Sequence, residues 1–292
     1  MELLVFQSMW GMEELPGEKG SWSLEEQVDQ IAAAGFDGAA VEDDVPEARD
    51  TISLLRDRGL KWCVACFPKT IEDFATTIEF IEETGRDGCD HINMQPNVRP
   101  ATVLESIPYV LGWQQMADQA GLDLYIETHR DRMTTDLLFT LQLIDAVPSL
   151  KLTADLSHFL VGREFKWPVP DAEHELIRRI LERTWAFHGR VATREQVQVQ
   201  LSFPHQQRWL ELFTHWWEQG FRSWRTRAAQ EDTLVFTPEL GPPPYAITGP
   251  DGTEQSDRWE EALLLQQTAR DIWQKLETED PKTNATVPAV AK

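Results

Sequence analysis

Four side chains able to hold a divalent metal recur along the second half of the chain: Glu127, Asp155, His188 and Glu239. Each closes a short run of β-branched and apolar residues. Alternate residues of a strand share a face, so Glu127 goes with Tyr125, Asp155 with Thr153, His188 with Ala186 and Glu239 with Thr237. The opposite parity is mostly apolar (Leu124, Ile126, Leu152, Ala154, Phe187, Phe236) and is expected to pack against helices. Three carboxylates brought together repel strongly unless a cation neutralises them. Oxygen ligands with one imidazole suit Mn²⁺, Mg²⁺, Co²⁺ or Fe²⁺ and do not exclude Zn²⁺. One divalent ion is therefore expected, with Mn, Mg or Co ahead of Zn or Fe.

Such a set converges only if successive strand ends are brought to one place. The runs cover 3–9, 38–42, 61–67, 91–95, 123–128, 150–156, 184–191 and 233–239. Segments of helical periodicity follow them at 46–59, 70–86, 100–120, 134–147, 171–183, 204–230 and 257–278, with the first at 23–35. Eight βα units of this total length predict an α/β fold, a single (β/α)8 TIM barrel, which takes roughly 250 residues plus insertions. Ser23 and Glu26 have capping-box spacing, and Gly35, Gly59, Gly85 and Gly121 stand where helices need a left-handed stop. The barrel is expected over 1–279, with the active site at the C-terminal mouth, and 280–292 as a disordered tail.

The 292 residues carry a net charge of −22, which argues against a nucleic-acid partner because phosphate must be neutralised by clustered Lys and Arg. No run of about eighteen uncharged apolar residues suggests a membrane span. The start of the chain does not read as a secretory signal, and three cysteines are too few for a disulfide framework. A cytoplasmic setting is the simplest expectation. Cys63 and Cys66 have CxxC spacing but lie on one strand, where residues three apart face opposite ways.

The segments Ile126-Glu127-Thr128-His129-Arg130, Thr153-Ala154-Asp155-Leu156-Ser157-His158, Phe187-His188-Gly189-Arg190 and Pro238-Glu239-Leu240-Gly241 resemble the xylose-isomerase-like barrels. That superfamily includes ketose 3-epimerases, hydroxypyruvate isomerases, inosose dehydratases and the endonuclease IV group. The resemblance implies one metal held by Glu127, Asp155, His188 and Glu239. It implies a sugar or polyol isomerase or epimerase working through an enediolate, with Glu127 and Glu239 as the acid/base pair. It places His158 at the substrate oxygens as a third catalytic group and Arg190 in contact with substrate. His129 and Arg130 lie outside the general pattern and point to a narrower subgroup; His129 is placed among the substrate contacts.

By position, Trp10 at the first strand end could stack on a sugar; Phe67, Trp113 and Trp167 could be further walls, with core packing the simpler expectation for each. Gln95, ending the fourth strand, could bond a hydroxyl, and Glu42, ending the second, could reach the mouth. The alternative activity is a lyase or dehydratase, which begins with the same proton abstraction. Phosphodiester hydrolysis needs further histidine ligands that strands two and three do not supply. The expected partner is a small carbohydrate, and related proteins often form homodimers or homotetramers.

Overall fold

The computed structural model describes residues 1–16 and 20–279, in which the eight runs form eight parallel strands closed into one barrel. The first half holds β1 (Glu2–Ser8), β2 (Gly38–Glu42), β3 (Lys61–Cys66) and β4 (Cys89–Met94). The second holds β5 (Leu124–Glu127), β6 (Leu152–Ala154), β7 (Thr184–Gly189) and β8 (Thr233–Pro238). β8 closes on β1 with Leu4 opposite Val235 and Val5 opposite Phe236. The outer layer is α1 (Leu24–Ala33), α2 (Ala48–Asp57), α3 (Phe74–Thr84), α4 (Val103–Ala120) and α5 (Leu137–Ala146), then α6 (Leu156–Gly162), α7 (Asp171–Leu181), α8 (Gln207–Arg225) and α9 (Arg258–Glu279). The tail expected to be disordered, 280–292, lies outside the described residues.

Strand parity sorts the core into two parts. Leu4, Phe6, Cys63, Tyr125, Ala186 and Val235 point inward and fill the barrel's interior. The other parity, such as Val5, Val64, Ile126, Leu152, Phe187 and Phe236, packs against the helices. Cys63 and Cys66 fall on opposite sides of this divide, so their CxxC spacing cannot close on one ligand. Gly38 shows how tightly the strands pass: a Cβ there would run into the Lys61 carbonyl at the start of β3 and meet the Phe6 ring at 2.7 Å, so β2 begins only with glycine.

The helix ends follow the sequence signals. Ser23 accepts from the Glu26 N–H while Glu26 reaches back to the Ser23 backbone, a complete capping box. Gly121 is left-handed at the end of α4. One element differs from expectation: the run 150–156 ends at Ala154, and Asp155 caps α6 instead of continuing a strand. Asn, Asp and Ser side chains favour this position because their oxygen satisfies an orphan helical N–H. Among the described residues no helix is long and apolar enough to cross a membrane.

Helix α9 also holds down the 191–203 connection, because the Glu261 carboxylate accepts the Leu201 N–H at 2.6 Å. Burial pushes the Glu261 carboxyl from its ordinary 4.5 up to about 7, against the lowering effect of the Leu201 and Ser202 N–H groups. The folded chain thus holds this proton more tightly than the unfolded one. The associated stability is complete below about pH 4.5 and is lost as pH rises through 7. Glu261→Gln should remove up to about 3 kcal/mol of that loss. Urea melts at pH 5 and pH 8 check it, and a variant with the parent's pH slope would count against it.

Candidate metal centre

Glu127 is the last residue of β5, His188 the next to last of β7, and Asp155 and Glu239 stand just beyond the ends of β6 and β8. Each offers one ligand atom, and these four atoms lie within 4.8 Å of one another. The barrel therefore does what the alternation demands: inward parity on four consecutive strands becomes one cluster. Glu127 and Asp155 are fully buried, and His188 is 5% exposed.

Local bonds fix each carboxylate. Glu127 Oε2 accepts from Asn93 Nδ2 at 2.7 Å and from Gln95 Nε2 at 3.0 Å, both on or just after β4. Its Oε1 has no hydrogen-bond partner. Asp155 Oδ1 takes the Ser157 N–H at 2.9 Å as the cap of α6, and Thr128 Oγ1 donates to the Asp155 carbonyl at 2.9 Å, tying β5 to β6. Arg190 donates to Asp155 Oδ2 from Nε at 3.0 Å and to Glu239 Oε2 from a terminal nitrogen. His188 Nδ1 lies 3.2 Å from Glu239 Oε2 and 3.5 Å from Glu127 Oε1, without the alignment of a hydrogen bond.

The electrostatics follow from burial and these neighbours. Burial raises the Asp155 carboxyl, and the charges of Glu239 and Glu127 add to the rise. Burial would also raise Glu239, but His188 and Arg190 outweigh it and hold that carboxyl below its ordinary range. Burial would lower His188, yet Glu239 and Glu127 keep its imidazole protonated well above its ordinary value. Burial, with His129, Arg190 and Arg130 adding, keeps His158 neutral; neither ring nitrogen makes a hydrogen bond, and Nε2 lies 3.5 Å from Asp155 Oδ2. Burial pushes Glu42 up to about 7, with Asp44 and then Glu239 contributing, so the β2 carboxyl does bear on the mouth.

A divalent ion fits this set. Buried polar groups in folded proteins are nearly always satisfied. Here Glu127 Oε1, His188 Nδ1, Asn93 Oδ1 and Thr153 Oγ1 are buried without hydrogen bonds around one cluster. Three carboxylates and one imidazole are the donor types such an ion prefers.

The remaining expected residues divide. Trp10 lies in a short 3-10 turn, its ring against Gly241 and 5.6 Å from the Arg190 guanidinium. Gln95 faces the site but spends its amide on Glu127. His129 is partly buried with its ring 3.9 Å from that of His158. Trp113 takes the core-packing alternative: it is fully buried, donates to the Thr70 carbonyl at 3.1 Å and packs on Tyr109 in the outer core. Trp167 is 44% exposed and packs on Trp209.

Three site residues were not foreseen. Asn93 shares a face with Gln95, and period-two reading could have found it. Gln198 bonds Arg190 at 3.1 Å and the Gly241 backbone at 2.8 and 3.0 Å, and Tyr245 stacks on Arg190. Both sit in long loops without periodicity.

No family model and no curated protein sequence matches the chain. Solved structures do match. A xylose isomerase-like TIM barrel protein from Mycobacterium smegmatis in complex with magnesium aligns with a TM-score of 0.60 at 14% identity, over 92% of this chain and 97% of that one. The fold is that of the xylose-isomerase-like barrels. An AP endonuclease, family 2, from Brucella melitensis aligns with a TM-score of 0.50 at 12% identity, over 80% and 92% of the two chains. An endocellulase from Pyrococcus horikoshii aligns with a TM-score of 0.51 at 10% identity, over 92% and 93%. Such distant likenesses establish the shape of a xylose-isomerase-like barrel, while its chemistry has to be read from the site.

Proposed function

We propose that the chain is a divalent-metal-dependent isomerase or epimerase of a sugar or related polyol. The observation that carries this reading is the quartet Glu127, Asp155, His188 and Glu239, converging within 4.8 Å at the barrel mouth. A divalent ion held there would polarise a carbonyl and acidify the neighbouring C–H. Glu127 is assigned as the base of the pair, with Asn93 and Gln95 fixing its carboxylate through Oε2. Glu239, from β8, is the other carboxylate of the acid/base pair. His158 is neutral and makes no hydrogen bond, suited to bond the oxygen on which charge develops in the enediolate. Arg190 steadies Asp155 and Glu239 and, on this reading, touches substrate beyond them; Trp10, Gln95 and His129 line the approach. The ligand is a small carbohydrate, with neither nucleic acid nor membrane as partner, and the protein works in the cytoplasm as a homodimer or homotetramer.

One observation favours a lyase or dehydratase as the second reading. His129 and His158 lie with ring centroids 3.9 Å apart, and His129 Nδ1 is 2.5 Å from the Arg130 carbonyl. A carbonyl only accepts, so that contact makes Nδ1 a donor and leaves Nε2 as the ring nitrogen open to a substrate. Such an imidazole can take a proton and then deliver it to a leaving hydroxyl.

The test combines elemental analysis with ketoses and inososes offered in D₂O to the metal-loaded protein. About one Mn, Mg, Co, Zn or Fe per chain and deuterium next to the carbonyl are expected. Loss of water from the substrate, seen as a new ultraviolet-absorbing enone, would favour the second reading. A chain that takes up no metal and exchanges no proton would sink both.

A further inference from the structure

We infer that Arg130 anchors a carboxylate on the substrate, so that the polyol of the proposed function is a sugar acid or similar hydroxy-acid rather than a neutral sugar. The inference rests on that functional reading and narrows it. Arg130 follows His129 directly after β5 and is partly buried, with its guanidinium 5.1 Å from the Tyr245 ring. The same ring lies 4.9 Å from the Arg190 guanidinium and 5.1 Å from Trp10, so Tyr245 separates two cations at the mouth.

The two cations differ in one respect. Arg190 is matched by Asp155 and Glu239, whereas Arg130 makes no ion pair among the described residues. In a chain with 49 acidic residues against 27 basic ones, an unmatched arginine beside the site calls for a reason. The acid next to it is not available. Asp131 takes a left-handed backbone (φ 57°) and turns its carboxylate to Arg99, bonded at 2.7 and 2.8 Å, with Arg132 at 3.6 Å. Arg130 therefore keeps its charge free, and that charge is felt at His158 inside the site.

A partly buried guanidinium without a counter-ion pays a desolvation cost that an incoming anion would offset. Its planar fork fits a planar carboxylate through two parallel bonds. A phosphate dianion would call for further unmatched cations, and the neighbouring Arg190 is already committed to its own carboxylates.

D-gluconate, sorbitol and glucose 6-phosphate, titrated calorimetrically into the Mn²⁺-loaded protein and its Arg130→Gln and Arg130→Lys variants, test the anchor. Gluconate and sorbitol share a polyol chain and differ in the carboxylate. Gluconate should bind the parent at least about tenfold more tightly than sorbitol, an advantage falling to within about twofold in Arg130→Gln and only partly kept in Arg130→Lys. Weak chelation of Mn²⁺ by gluconate in solution is common to parent and variants and cancels in the comparison. Equal binding of gluconate and sorbitol, an advantage that survives Arg130→Gln, or tighter binding of glucose 6-phosphate would each overturn the carboxylate anchor. Manganese content of the same samples separates the failures. Full loading without a gluconate preference removes the anchor alone, whereas no loading removes the functional reading beneath it.

Discussion

Asp155→Asn is expected to lower metal affinity at least about a hundredfold while leaving the metal-free barrel about as stable as the parent. The two effects separate because Asp155 has two jobs. One oxygen caps α6 through the Ser157 N–H, and asparagine performs that task as well as aspartate. The other belongs to the metal quartet and to Arg190. Removing its charge leaves Glu127 and Glu239 facing Arg190 and the protonated His188, a balanced set without an ion. Asp155→Ala would confuse the result, since loss of the cap alone costs about 1 kcal/mol. Isothermal titration with Mn²⁺ and thermal melts with and without the ion decide the matter. A variant that still binds one equivalent with the parent's affinity would remove Asp155 from the ligand set.

Arg190→Gln should have the opposite signature. Arg190 is 1% exposed and is the arginine that offsets Asp155 and Glu239 together. Taking away one member of a buried ion cluster leaves charges that the low-dielectric interior cannot solvate, at a typical cost of about 3–5 kcal/mol. For a chain of this size that is a fall of roughly 10 °C or more in the metal-free melting temperature. Added Mn²⁺ should restore most of it, because an ion in the quartet supplies the missing positive charge. The metal-induced rise in melting temperature would then be larger in the variant than in the parent. A small loss that Mn²⁺ does not reverse would show that Arg190 is only packing.

Much of this could be read from residues alone, for identifiable reasons. The cluster of candidate ligands at the ends of β5–β8 was legible because inward parity and strand ends are local properties, and four successive strands repeated the signal. Ser23 and Glu26 announced the start of α1 in the same way. The hidden features depend on contacts between distant segments. Gln198 reaches Arg190 and Gly241 across two loops, and Trp113 is core because α4 lies over Thr70. Helix α6 was missed because Leu156 and Phe159 continue an apolar run, although Asp155 itself carried the capping signal.

The bridge from Arg190 to Asp155 and Glu239 also bears on how the protein acquires its ion. Metal-nucleated domains stay unfolded until the ion arrives, since nothing else holds their ligands together. Here an arginine and a protonated histidine already offset most of the carboxylate charge, so the barrel can close during synthesis with no metal present. A divalent ion would then be taken up late, by a finished protein, with Glu127, Asp155, His188 and Glu239 as the residues that would hold it. A protein purified from one growth medium should then be re-chargeable with another divalent metal without being unfolded.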